Sequence, residues 1–156
     1  MIYSNALKET VQSYLDKESF PYTFHEEKGF FLTGVKIKNK LKRCEIIIAI
    51  REENYTVYAL IAVSAEPSNA PAVSEYLHRA NYGLNYGSFE FDPTDGEIRY
   101  KFFVDCGTNC DCIPTQSVIR HSIELPALMF EKYGDGLLGV LFGLLSPTEA
   151  IALADS

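Results

Sequence analysis

Three of the four cysteines in this 156-residue chain fall within seven residues, in "CGTNCDC" from Cys106 to Cys112. Thiolates two to four residues apart can build a metal knuckle or a redox pair. Cys106 and Cys110 have knuckle spacing, and Cys112 adds a third sulfur. A fourth ligand is harder to find. The one remaining sulfur, Cys44, lies in "RCEIIIAI", which reads as a central strand. Asp105 and Asp111 flank the loop, and a carboxylate beside a thiol disfavours the thiolate. There is no C-x-x-C, and "GTN" is ordinary turn chemistry. The residues favour a turn with incidental, oxidisable thiols and no bound cofactor. The alternative is a metal- or redox-responsive sensor built on Cys106, Cys110 and Cys112.

Other candidates for chemistry are weaker. "GDGLLG", Gly134 to Gly139, formally matches G-x-G-x-x-G. It follows a helical pattern rather than a strand, and Asp135 would repel a pyrophosphate. A helix break is expected there, with Gly134 as the left-handed cap after Tyr133. His25, His78 and His121 lack the spacing of a zinc-protease site, and no G-x-S-x-G is present. The residues thus name no catalytic set, and a non-enzymatic protein is expected. "LLGVLFGLL", Leu137 to Leu145, is apolar on nearly every face. Such a helix is buried in its own core or covered by a partner. Leu137, Leu138, Val140, Leu141 and Phe142 are therefore the candidate partner or dimer surface.

The whole chain sets limits on these readings. Its net charge is −7, from 21 acids against 14 bases. That balance repels phosphate backbones and argues against nucleic-acid binding. The N-terminus, "MIYSNALKETVQSYLDKESF", has neither a basic n-region nor an apolar h-region. No apolar run reaches the ~20 residues of a membrane span. A cytoplasmic protein with reduced thiols and no membrane partner is expected.

Four helical patterns and two β-rich regions must position these residues. Ser4 caps a first helix whose stripe is Leu7, Val11, Tyr14 and Leu15. "YTFHEEKGFFLTGVKI" reads as a hairpin turning at Lys28-Gly29. Arg43–Ile50 and Tyr55–Val63 are apolar on consecutive positions, so strands buried on both faces are expected. Val73, Tyr76, Leu77 and Ala80 mark a second helix, with Glu75 paired to Arg79. "SFEFDPTDGEIRYKFFVD" is the clearest hairpin, with Glu90 able to pair with Arg99 or Lys101. Thr115 caps a third helix with Val118, Ile119, Ser122, Ile123 and Leu125 inward, kinked or restarted at Pro126. Ser146, Pro147 and Glu149 form a capping box for a tail helix. The fold class is α+β, an antiparallel sheet with packed helices, in one domain over 1–156.

The stretch "EYLHRANYGLNYGSFEFDPTDGEIRY" resembles the YbjN family, described as bacterial sensory-transduction regulators with the fold of type III secretion chaperones. The resemblance covers about residues 4–144, leaving 145–156 as a C-terminal tail. It implies the order α-β-β-β-α-β-β-α, against which the first hairpin supplies one strand more, Tyr22–Glu26. It implies a regulatory or chaperone-like module, homodimeric, with a protein partner and no catalytic residues. Asn81, Gly87, Asp92 and Gly96 carry the match. Each has a structural reason: Asn81 to cap its helix, Gly87 to admit a close backbone, Asp92 and Gly96 to make a turn.

Overall fold

A computed structural model describes all 156 residues. Six strands form one antiparallel sheet: β1 (Thr23–His25), β2 (Phe30–Lys36), β3 (Arg43–Ile50), β4 (Asn54–Leu60), β5 (Ser88–Phe91) and β6 (Ile98–Asp105), in the order β1-β2-β3-β4-β6-β5. The helices are α1 (Asn5–Lys17), α2 (Ala70–Asn81), α3 (Gln116–Leu141) and α4 (Pro147–Asp155). Four strands precede α2, and a further helix follows α3. The extra strand is β1, paired through Thr23–Leu32, Phe24–Phe31 and His25–Phe30.

Local signals set the helix starts. The Ser4 hydroxyl accepts the Leu7 N–H at 3.2 Å, and Leu7, Val11, Tyr14 and Leu15 are buried. Thr115 accepts the Val118 N–H, and Ser146 with Glu149 closes the capping box. The α2 stripe is the expected one, and Glu75 pairs with Arg79 at 2.9 Å.

The third helix departs from expectation. It runs 26 residues without a break, through Pro126 and through Gly134-Asp135-Gly136. Gly134 is thus no helix cap. Close packing explains all three glycines of the run. A Cβ at Gly134 would lie 2.6 Å from Asn39 Nδ2 and Leu41 Cδ1, at the β2–β3 hairpin tip. At Gly136 it would meet the Tyr76 hydroxyl at 2.6 Å, and at Gly139 the Leu145 side chain at 2.5 Å. Val118 was expected inward but is exposed, one position off the buried Ile119–Ser122–Ile123 stripe.

The helices cover one face of the sheet. Phe31, Ile46, Ile48, Ile50, Tyr55, Val57, Ala59, Tyr100 and Phe102 point to that side and are buried. The Tyr55 hydroxyl meets Ser122 Oγ of α3 at 2.9 Å, and Phe89 packs edge-on against Phe130. Each buried Ile or Phe contributes about 1.5–3 kcal/mol of hydrophobic stabilisation. The alternate residues Leu32, Ile47, Tyr58 and Leu60 are only half-buried, and Phe103 is 55% exposed. Burial on both faces is therefore confined to the end of β3, where Ile48, Ala49 and Ile50 are buried in succession. β4 alternates strictly between buried and half-buried positions, as a sheet with one bare face requires.

Candidate functional site

The cysteine loop is stapled to the β3–β4 turn. The Cys106 N–H donates to Glu53 O at 2.8 Å, and the Asn109 N–H to Glu53 Oε1 at 2.9 Å. The Cys110 thiol donates to Glu52 O at 2.8 Å, and the Cys112 N–H closes the loop on Cys106 O. Asn109 and Cys110 both have φ near +55°, a left-handed pair that this bonding holds in place. Cys106 is buried, Cys110 half-buried and Cys112 exposed; all are free thiols. Cys44 is buried in β3, facing the helices. No three His, Cys, Asp or Glu side chains converge as a metal would require.

The electrostatics also oppose thiolate chemistry. Burial, then the neighbouring thiols and Asp105, push Cys106 up to about 11. The hydrogen bond with Asp111, then its charge, raises Cys112. Metal binding and thiol exchange both need the thiolate. Cys110 lines a cleft of about 570 Å³ beside Arg51, Glu52 and Tyr3.

The apolar run at the end of α3 divides. Leu137 and Val140 are buried in the chain's own core, so they cannot form a partner surface. Leu138 and Leu141 are half-buried. Phe142 is 70% exposed and remains available, with Leu144 beside it. Helical spacing sends Leu137 and Val140 to one side, whereas Phe142 falls just past the last turn.

The histidines do not come together. His25 stacks on Phe30, His121 packs edge-on to Tyr86 and Phe102, and His78 is exposed on α2. Asn81, Gly87, Asp92 and Gly96 act in the fold. Asn81 does not cap its helix. It brackets the Phe89 backbone instead, donating to Phe89 O at 2.9 Å and accepting the Phe89 N–H at 2.7 Å. This ties α2 to β5. Gly87 has φ +75° and passes against Lys101 O, where a Cβ would clash. Asp92 Oδ1 accepts the Thr94 N–H, and Gly96 completes the turn with φ +80°.

The extended surface is the bare sheet face. Phe30, Ala49, Thr56 and Phe103 lie in cross-strand register, and Leu32, Ile47 and Tyr58 form the next row. Beside them Glu90 takes Arg99 at 2.7 Å and Lys101 at 2.5 Å, and the Arg99 guanidinium lies over the Tyr58 ring. Burial pushes the Glu90 carboxyl up, but the hydrogen bonds from Lys101 and Arg99 outweigh it and hold the carboxyl below its ordinary value.

Sequence reasoning missed a second feature, the hairpin "KIKNKLKR". It carries Lys36, Lys38, Lys40, Lys42 and Arg43, with no acid among them. A run of bases in an acidic chain was the signal. The hairpin is pinned on α3: the Asn39 amide donates to Phe130 O at 2.7 Å, and the Lys38 N–H to Glu131 Oε1 at 2.9 Å. None of its five cations is in an ion pair.

No protein-family model matches the chain, and no curated protein matches it significantly. No helix is long and apolar enough to cross a membrane.

Proposed function

We propose that this chain is a non-enzymatic, regulatory or chaperone-like protein-binding module, homodimeric through its bare sheet face. One observation carries the reading: the helices lie on one side of a six-stranded sheet, while half-buried Leu32, Ile47 and Tyr58 and exposed Phe103 line the other. Contiguous exposed apolar surface favours association. Two copies of such a face pack as aligned sheets about 10 Å apart. The charges support a copy of the same chain as the occupant. Glu90 is already paired to Arg99 and Lys101, so this cluster can enter an interface with its charges matched. A two-fold interface needs a self-complementary patch of this kind. The resemblance to YbjN proteins adds the role in sensory-transduction regulation and a cytoplasmic setting.

The test is native mass spectrometry on untagged protein, with Phe103→Glu as the variant. Phe103 is not in the core, so the variant is expected to keep the wild-type circular dichroism. The wild type is expected at twice the 17.5 kDa chain mass, and the variant as a monomer. A monomeric wild type, or a variant that dimerises as before, would sink the bare-face dimer.

A further inference from the structure

Charge is laid out on the bare sheet face in a pattern that a second copy can match. β4 is the neutral strand, presenting Asn54, Thr56, Tyr58 and Leu60 there. β3 and β6 flank it, run in the same direction and differ in sign. Glu45 of β3 and Arg99 of β6 stand in one row, on either side of Leu60. In the next row Arg43 of β3 stands beside Lys36 of β2. Across β4 that row continues as Glu97, just before β6, and Asp92, whose N–H donates to Glu97 O at 3.0 Å. The Glu97 carboxylate lies 3.6 Å from the Arg99 guanidinium, which covers the Tyr58 ring, so it too is on the bare side.

The two corners of this face are complementary. Lys36, Arg43 and Glu45 are exposed, and none is in an ion pair. The Arg43 guanidinium lies over Gly34, whose missing side chain leaves it room. At the far corner Glu90, Asp92, Glu97 and Arg99 line a cleft of about 470 Å³. Glu90 and Glu97 share Arg99 there, and Asp92 has no cation.

We propose that the second copy docks about a two-fold axis running along β4. Such an axis keeps each row level and exchanges its two sides. β3 of one copy lies over β6 of the other, and β2 over β5. Lys36 and Arg43 of each copy enter the acidic cleft of the other at Asp92 and Glu97, and Glu45 faces Arg99. Aligned sheets about 10 Å apart leave the distance that a pair of long charged side chains spans. The angle of about 30° between such sheets moves the pairs by a few ångströms, within the swing of Arg, Lys and Glu. Ala49 falls beneath the exposed Phe103 of the other copy, small against large. An axis laid across the strands over their middle row, Leu32–Ile47–Tyr58–Lys101, instead sets Arg43 on Arg51 and Glu97 on Asp105. Like charges juxtaposed at an interface are costly, and that repulsion selects the axis along β4.

This arrangement rests on the bare-face dimer and fixes its axis. The experiment is a charge swap in the full chain: Arg43→Glu, Glu97→Arg, and an equimolar mixture of the two. One variant is ¹⁵N-labelled, so that native mass spectra separate homodimers from heterodimer. Both side chains are exposed and outside the core. Alone, each variant meets like charge twice across the axis and is expected to dimerise at least about tenfold more weakly than the wild type. Mixed, the variants restore opposite charges at both contacts, and the heterodimer is expected to dominate. Carbodiimide cross-linking of the wild type is an independent measurement. Amide bonds are expected from Lys36 to Asp92 or Glu97, which lie across the sheet from it within one copy and are reached only between copies. A dimeric wild type without that cross-link, variants that dimerise undiminished, or a mixture in statistical proportion would each overturn the axis and leave the bare-face dimer standing. A monomeric wild type would overturn both.

Discussion

Cys112 shows how a neighbour sets reactivity when burial does not. It is exposed, yet Asp111 accepts from its thiol and raises its pKa. Replacing Asp111 with Asn removes the charge and weakens that bond. Asp111→Asn is expected to speed iodoacetamide labelling of Cys112 severalfold at pH 8, read by peptide mass spectrometry. An unchanged rate would show that Asp111 does not control the thiol. The sequence already held this much, because Asp111 is adjacent to Cys112. It did not hold the third contact of the loop, Cys110 on Glu52 O, since Glu52 is 58 residues away. Asn81 makes the same point. Its place near a helix end suggested a cap, but its amide is committed to the Phe89 backbone.

Gly134 departs from the expected cap because glycine has two uses. It ends helices by adopting positive φ, and it lets other elements come close. Within one segment nothing separates the two. At Gly134 the close approach wins: the hairpin tip of Asn39 and Leu41 occupies the place of a Cβ. A solvent-exposed helical Gly→Ala usually gains about 1 kcal/mol. At Gly134 overpacking costs about 1–3 kcal/mol and outweighs that gain. Gly134→Ala is therefore expected to lose about 1 kcal/mol net in urea unfolding. It should also loosen the basic hairpin, seen as faster amide exchange at Lys38. A stabilised variant would show that the hairpin yields freely. Pro126 starts no new helix: its missing N–H affects one helix bond, while its ring is buried in the core-facing stripe.

Buried acids of high pKa govern the response of the whole molecule to base. Burial first of all pushes the Cys44 and Cys106 thiols up to about 11, and Tyr55 and Tyr100 up to about 12; Tyr76 is raised further still. In the unfolded chain these thiols ionise near pH ~8.5–9 and the tyrosines near ~10. Below pH ~8 both states keep all these protons, and these groups add no pH dependence. Above it the unfolded chain releases them first, so stability falls. Each group in that condition adds a slope of about 1.4 kcal/mol per pH unit. The urea midpoint should be nearly flat to pH ~8.5, drop from there and steepen beyond pH ~10. A flat profile to pH 11 would mean these side chains are more hydrated than the fold implies.

Patterns carried by consecutive residues were legible without coordinates. The α1 and α2 stripes, the three hydroxyl caps, the Asp92–Gly96 turn and the pairing of Glu90 with its basic neighbours all depend on residues a few positions apart. Charge, too, was legible as a total. Tertiary structure alone decided where the helices lie. An apolar run such as "EIIIAI" has the same composition whether one face or two is covered, and only the packing of α1 to α4 shows that one stays bare. The division of "LLGVLFGLL" into buried Leu137 and Val140 and exposed Phe142 was settled in the same way. These features arise from surfaces meeting across long sequence separations, which no local pattern encodes.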